Sequence, residues 1–316
     1  MPLVLVRTVS GLEGLAAEEI AAGGHRVVDV SKRQLIIEAS DELLGRPPRL
    51  ADDVFLVRDA VPDPGRTKDG LRSVSLTAQA LGPFAVSASF VGERNFNRYD
   101  VEDHVGAVLG GEYHSRRDGA RPPAQRSEWR VVLDGKTMWI GVRPYDVPLH
   151  RRAWRQRTVV GSLHPPVAAA MARLARIEPG MRVLDPFCGA GTLLVEAHAL
   201  EPAASYRGID RRAEAVAAAR ANSAAVQVQL GDAARVSGPV HRIVTNPPWG
   251  VRLAVGDLTP YWRAWRRVLA PDGVVVALLS QEQAALLETS WTVQAAYDLS
   301  VAGRHPRIVV LTPQRI

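Results

Sequence analysis

The chain has 316 residues, 47% of them apolar, with a single cysteine and a formal charge of +6. That length allows two domains and a sizeable core, the cysteine count excludes a disulfide framework or a cysteine-rich metal site, and no apolar run is long enough to span a bilayer. Nearly all of the cation is arginine, with lysine only at positions 32, 68 and 136; the guanidinium fork binds phosphate and stacks on bases, so nucleic acid is a candidate partner.

From the start, Leu3–Arg7 reads as a strand and Leu12–Ala22 as an amphipathic helix ended by Gly23-Gly24. The opening residues are too short for a signal-peptide core, and a reducing cytoplasm is the expected compartment. Val27–Val30 and Leu35–Glu38 form an expected hairpin around Ser31-Lys32-Arg33. Asp41 can cap a short helix, and Val54–Val57 is a further strand. This β-α-β-β-α-β order over residues 1–60 is that of a ferredoxin-like sandwich.

Arg58–Arg72, rich in Pro, Gly and Asp, reads as a connection. A second α+β unit occupies 61–148: Phe84–Val91 alternates as a strand, Asp100–Leu109 follows as a helix, and Glu112–Gln125 is a basic loop carrying Arg116 and Arg117. Glu128–Leu133 and Thr137–Val142 form a hairpin across Asp134-Gly135, a strong turn dipeptide. A linker over 149–163 then holds His150-Arg-Arg-Ala-Trp-Arg-Gln-Arg157, the densest cationic run in the chain. Arginines interleaved with an aromatic suit a single nucleic-acid strand, so Arg151, Arg152, Trp154, Arg155 and Arg157, with Arg116 and Arg117, are the candidate RNA contacts; a solvated linker with Trp154 packed inward is the plainer alternative.

Residues 164–316 alternate strand and helix. Pro165–Ile177 has Val167, Met171, Leu174 and Ile177 at helical spacing. Val183-Leu184-Asp185 is the first strand, Tyr206–Asp210 the second, Val226–Leu230 the third, His241–Thr245 the fourth and Gly273–Leu279 the fifth. Helices are expected at Arg211–Ala221, at Tyr261–Leu269 with Trp262, Trp265 and Leu269 on one side, and at Gln281–Glu288. Val293–Val301 and Ile308–Thr312 close as an antiparallel hairpin. The expected fold class is α/β: a Rossmann-like, seven-stranded sheet finished by that hairpin.

Asp185-Pro-Phe-Cys-Gly-Ala-Gly191 sits between the first strand and a helix that Thr192 can cap. Ligands bind at such strand-to-helix turns in open α/β sheets. A dinucleotide fingerprint would need a third glycine where Leu194 stands, and a P-loop would need a lysine after Gly191. Carboxylates end three successive strands: Asp185 could offset a ligand ammonium, Asp210 could accept from ribose hydroxyls, and Asp232 from an exocyclic adenine amine. Asn246-Pro-Pro-Trp249 ends the fourth strand. The Asn246 side-chain oxygen and the Pro247 carbonyl can each accept one hydrogen of an amino group, the prolines remove competing donors, and Trp249 offers a stacking face.

These two motifs together resemble those of class I S-adenosylmethionine-dependent methyltransferases that modify exocyclic amines. Phe84-Ala-Val86, Asn95-Phe96 and the Trp129–Val142 hairpin resemble a THUMP RNA-binding domain, and Leu163-His-Pro-Pro166 after the arginine run is similar to the THUMP-linked guanine methyltransferases. The resemblance implies a tRNA (guanine-N2-)-methyltransferase that binds S-adenosylmethionine through Asp185, Pro186, Phe187, Cys188, Gly189, Gly191, Thr192, Asp210, Asp232, Ala233 and Asn246. It implies catalysis at Asn246, Pro247, Pro248 and Trp249, with no metal and a monomeric enzyme acting on RNA. Ribosomal RNA guanine-N2 methyltransferases share the pattern but usually carry tyrosine where Trp249 stands. Adenine-N6 and glutamine methyltransferases, and an RNA-binding protein with an inactive fold, are the other readings.

Overall fold

The computed structural model describes residues 1–40, 42–249, 258–287, 290–301 and 303–314. The expected cap at Asp41, the Gly250 that follows Trp249 and Glu288 lie outside them; the helix expected over Gln281–Glu288 already ends at Ala285. The chain divides into two units, Met1–Thr8 with Ala16–Leu149 and Val9–Leu15 with His150–Ile316.

The first part of the chain runs β1 (Leu3–Thr8), α1 (Glu13–Ala22), β2 (Arg26–Ser31), β3 (Gln34–Glu38), α2 (Glu42–Gly45), β4 (Ala51–Pro62), α3 (Lys68–Arg72), β5 (Pro83–Phe90), α4 (Arg98–Leu109), β6 (Glu112–Tyr113), β7 (Ser127–Leu133) and β8 (Thr137–Val142). Its eight strands make one sheet ordered β2-β3-β1-β4-β8-β7-β5-β6. The first four follow the ferredoxin-like order, antiparallel throughout.

β4 is longer than expected. It extends through Arg58–Pro62, pairing with β1 on one side and β8 on the other, so the expected boundary between residues 60 and 61 falls inside a strand. Its tail alternates half-buried and exposed residues, which is a strand's period; charges and Pro62 disguise it as a connection. Likewise α3 forms within the expected connection, and the expected basic loop opens with β6, parallel to β5. The β7–β8 hairpin turns at Asp134, whose carboxylate accepts from Lys136 N and Thr137 N at 2.8 Å each. α4 begins at Arg98 because Asn97 and Asp100 form a capping box. Its Val101, Val105 and Leu109 pack on Phe84, Val86, Trp129, Val131 and Ile140.

The second part runs α5 (Pro165–Leu174), β9 (Arg182–Asp185), α6 (Thr192–Leu200), β10 (Ser205–Asp210), α7 (Ala213–Asn222), β11 (Gln227–Leu230), β12 (Val240–Thr245), α8 (Thr259–Val268), β13 (Leu269–Leu279), α9 (Gln281–Ala285), β14 (Trp291–Asp298) and β15 (Arg307–Pro313). The sheet is seven-stranded, ordered β11-β10-β9-β12-β13-β15-β14, with β15 antiparallel to both neighbours. This is the expected doubly wound sheet with its terminal hairpin. The strand order reverses between β9 and β12, the switch point where such sheets bind ligands.

α5 stops short of the expected Ile177. Arg176 adopts a left-handed φ of 47°, and the buried Arg242 donates to Ala175 O at 2.6 Å and Arg176 O at 3.3 Å, occupying carbonyls that end the helix. On α8, Trp262 and Trp265 are buried as expected, whereas Leu269 has already entered β13.

Candidate active site

β9 is four residues long and central, with Val183, Leu184 and Asp185 all 1% exposed or less. A strand covered on both faces must be apolar, which makes the carboxylate at its end conspicuous. Asp185 accepts from Phe187 N at 3.0 Å, tightening the turn. Burial pushes its carboxyl up to about 7, against the pull of that hydrogen bond and helped by the nearby charge of Asp210.

The turn continues through Pro186, which is buried, and Phe187, whose ring packs edge-on against Tyr261 at 5.1 Å and Trp265 at 6.1 Å. Cys188 is buried and free, its thiol pushed up by burial, and its backbone N donates to Ile209 O at 3.0 Å. Gly189 and Gly191 have φ of 52° and 79°. Gly191, not Thr192, is the N-cap of α6, which corrects the expected capping role: the left-handed cap fits glycine, and Thr192 falls in the first turn. Its Oγ1 is buried without a hydrogen-bond partner. Close approach also explains Gly208 in β10, where a Cβ would lie 2.9 Å from Cys188 Cβ, Cys188 Sγ and Leu194 Cδ1.

Asp210, 8% exposed at the end of β10, joins the turn directly, accepting from Gly189 N at 3.0 Å and from Arg212 N at 2.9 Å. A carboxylate offers about four lone-pair sites, so acceptor capacity remains. Asp232 stands exposed beyond β11 and accepts from Ala234 N at 2.9 Å. The neighbouring Ala233 is buried, and its carbonyl receives the indole N–H of the fully buried Trp265 at 3.2 Å. Trp265 therefore braces two of the turns, through Phe187 and through Ala233.

Asn246 follows β12. Its Oδ1 is buried and accepts no hydrogen bond, an arrangement that costs free energy unless a donor arrives. Pro247 is buried and Pro248 half-buried; the Pro248 carbonyl is held by Gln283 Nε2 at 2.8 Å. Trp249 donates Nε1–H to Leu278 O at 3.1 Å, and Arg304 lies 5.9 Å from its ring centroid. Buried, unpartnered acceptor and hydroxyl oxygens beside a left-handed glycine turn fit a small polar ligand bearing an amine, such as S-adenosylmethionine.

The candidate RNA contacts divide by environment. Arg151 and Arg157 are exposed. Arg152 pairs with the buried Glu196 at 2.9 Å, Arg155 donates to Leu163 O at 3.0 Å, and Trp154 has its Nε1 buried. Arg116 donates through Nη2 to both carboxylate oxygens of Glu128, and Arg117 binds Asp103 and Asp100.

Sequence reading missed Asn222. It is 5% exposed, accepts from Arg157 N, and donates to Arg157 O and Ala190 O, all at 2.9 Å. One side chain thus ties the arginine run to the glycine turn; an asparagine ending an alanine-rich helix carries no local signal of this.

A family model described as UPF0020, RMKL-like methyltransferase domain, matches residues 152–287. A tRNA (guanine(6)-N2)-methyltransferase of Thermus thermophilus is 34% identical, covering 96% of this chain and 97% of its own length. One of the same name from Archaeoglobus fulgidus is 25% identical over 77% of this chain and 73% of that protein. The crystal structure of TrmN from Thermus thermophilus superposes with a TM-score of 0.80 at 26% identity, covering 99% of this chain and 100% of that one. This chain belongs to the same family, the class I S-adenosylmethionine-dependent RNA methyltransferases with an RMKL-like catalytic domain.

Proposed function

We propose that the protein transfers a methyl group to the exocyclic N2 amine of a guanosine in tRNA. The observation that carries this reading is the buried, unpartnered Oδ1 of Asn246 at the switch point of the sheet. The Thermus and Archaeoglobus relatives are both named for guanine 6 of tRNA, so that is the first position to map.

When bound, S-adenosylmethionine supplies an electrophilic methyl on a sulfonium. Asp185 would face the ammonium of the donor, Asp210 would accept from its ribose, and Asp232 with Ala233 would border its adenine. Pro186, Phe187, Cys188, Gly189 and Gly191 would shape the turn around it, with Thr192 offering a hydroxyl. Asn246 Oδ1 and the Pro247 carbonyl accept the two amine hydrogens and aim the nitrogen lone pair, while Pro248 stiffens the loop and Trp249 stacks the base. An aniline-like amine is a weak nucleophile, so positioning and polarisation carry the rate.

The front of the chain is read as a ferredoxin-like region followed by a THUMP-like region that bind RNA. Among the arginines, Arg151 and Arg157 are the most available for phosphate. The enzyme is read as a metal-independent monomer of the cytoplasm.

The test is methyl transfer from labelled S-adenosylmethionine to unmodified tRNA, ribosomal RNA and DNA in parallel, with nucleoside mass spectrometry. N2-methylguanosine in tRNA is expected; label confined to DNA or to adenosine refutes the reading. Asn246→Ala should lose roughly 10²-fold in turnover while calorimetry finds cofactor affinity nearly unchanged. Unimpaired turnover removes Asn246 from the chemistry.

A further inference from the structure

The amine-binding groups at the end of β12 cannot tell guanine from adenine. Asn246 Oδ1 and the Pro247 carbonyl only accept, and both bases offer an exocyclic amine. A donor aimed at the O6 and N7 edge would discriminate, since adenine carries an amine in place of O6, and the β14–β15 turn brings one to the catalytic loop.

Arg304 lies in that turn, where Val301 and Arg304 exchange backbone hydrogen bonds of 2.9 Å in both directions. Its guanidinium is 5.9 Å from the Trp249 ring centroid and half-buried. Among the described residues it has no carboxylate or hydrogen-bond partner. The nearby Arg307 differs in this respect, since it is bidentate on Asp298 at 2.8 and 2.9 Å.

Its placement is braced from one short helix. Gln283 of α9 donates to Pro248 O at 2.8 Å, and Gln281 donates to His305 O at 2.9 Å. The catalytic loop and the turn carrying Arg304 therefore each hang from one glutamine of the same short helix. Trp249 is pinned through its indole N–H to Leu278 O, so the ring under the guanidinium is held in one orientation.

We propose that Arg304 is the residue that selects guanine, its fork donating to O6 and N7 of the base while the N2 amine lies at Asn246. This rests on the guanine-N2 reading above. Guanine presents two acceptors along that edge, which an arginine meets with two parallel N–H bonds, whereas adenine replaces one of them with an amine donor. The cation over Trp249 is then a resting position that the incoming base takes over, the guanidinium moving from the ring face to the base edge.

The experiment uses tRNA in which the target guanosine is replaced by 2,6-diaminopurine riboside. That nucleoside keeps the N2 amine and N7, exchanges the O6 acceptor for a donor, and exchanges the N1–H for an acceptor; loss of the preference in the Arg304 variants isolates the O6 contact. Single-turnover rates are measured with excess enzyme for the native protein, Arg304→Ala and Arg304→Lys, with S-adenosylhomocysteine affinity as the check on folding. The native enzyme should prefer guanosine by about 5- to 150-fold, the factor a lost bidentate contact produces. In both variants the preference should shrink to within about threefold, with cofactor affinity unchanged.

A native enzyme that does not discriminate overturns the proposal, as does a variant that keeps the native ratio. Full rescue by Arg304→Lys would also overturn it, by showing a cation acting on phosphate rather than a fork acting on a base. If native protein methylates no guanosine, the guanine-N2 reading itself fails; guanosine methylation with an unchanged ratio in the variants removes Arg304 alone.

Discussion

The cofactor contact proposed for Asp185 predicts a pH dependence whose direction can be worked out beforehand. Its carboxyl is 1% exposed and pushed up to about 7 by burial, against about 3.9 in an unfolded chain. The gap corresponds to about 4 kcal/mol at 1.36 kcal/mol per pK unit, opposing ionisation in the folded, ligand-free protein. A raised acid stabilises the fold less as pH climbs, so its cost grows from about pH 4 and is complete above 7. If the ionised form receives the donor's ammonium, cofactor affinity follows the ionised fraction of Asp185. Affinity is then nearly full at about pH 8, falls roughly tenfold by pH 6, and drops about tenfold per pH unit below that. Asp185→Asn should abolish this acid limb and raise the resistance of the ligand-free protein to urea more at pH 8 than at pH 5. Calorimetric titration with S-adenosylhomocysteine from pH 5.5 to 8.5 reads the first effect and equilibrium unfolding the second. An acid limb that survives in Asp185→Asn would refute the assignment.

Gly208→Ala should drive a Cβ into Cys188 and Leu194, costing about 1–3 kcal/mol and lowering Tm by several degrees in a melting curve. Asn222→Ala should destabilise by about 1–3 kcal/mol and weaken cofactor binding in the same calorimeter, because Ala190 O loses its anchor; unchanged affinity would make Asn222 a purely structural tie. Replacing Arg151 and Arg157 together by alanine should weaken tRNA binding and flatten the plot of log affinity against log salt by about 1–2. A slope identical to native would mark the run as a plain linker.

The catalytic sheet was legible because its central strands are short apolar runs punctuated by Gly, Asp and Asn. Parallel burial demands those runs, and the strand ends carry the chemistry. Where reading failed, the deciding partner was distant in sequence. α5 ends early because Arg242 reaches back 67 residues to Ala175. The bond from Asn222 to Ala190 spans 32 residues, and Gln283 holds Pro248 across 35. Thr192 was legible as a hydroxyl at a helix start, yet the left-handed Gly191 took the cap position. In the first part of the chain, the tail of β4 escaped notice because strand character there comes from pairing with β8 rather than from composition.

That shared strand bears on how this protein can be cut. β4 is bordered by β1 on one side and β8 on the other, and its partner in β8 arrives roughly eighty positions later. A fragment ending near residue 60 would carry the strand with one long edge of unpaired amides and carbonyls, and the complementary fragment would expose β8 in the same way. Such edges recruit other chains. A piece beginning after Pro62 or ending before it is therefore expected to aggregate, and nascent β4 must wait on the ribosome for β8 before its second edge is closed.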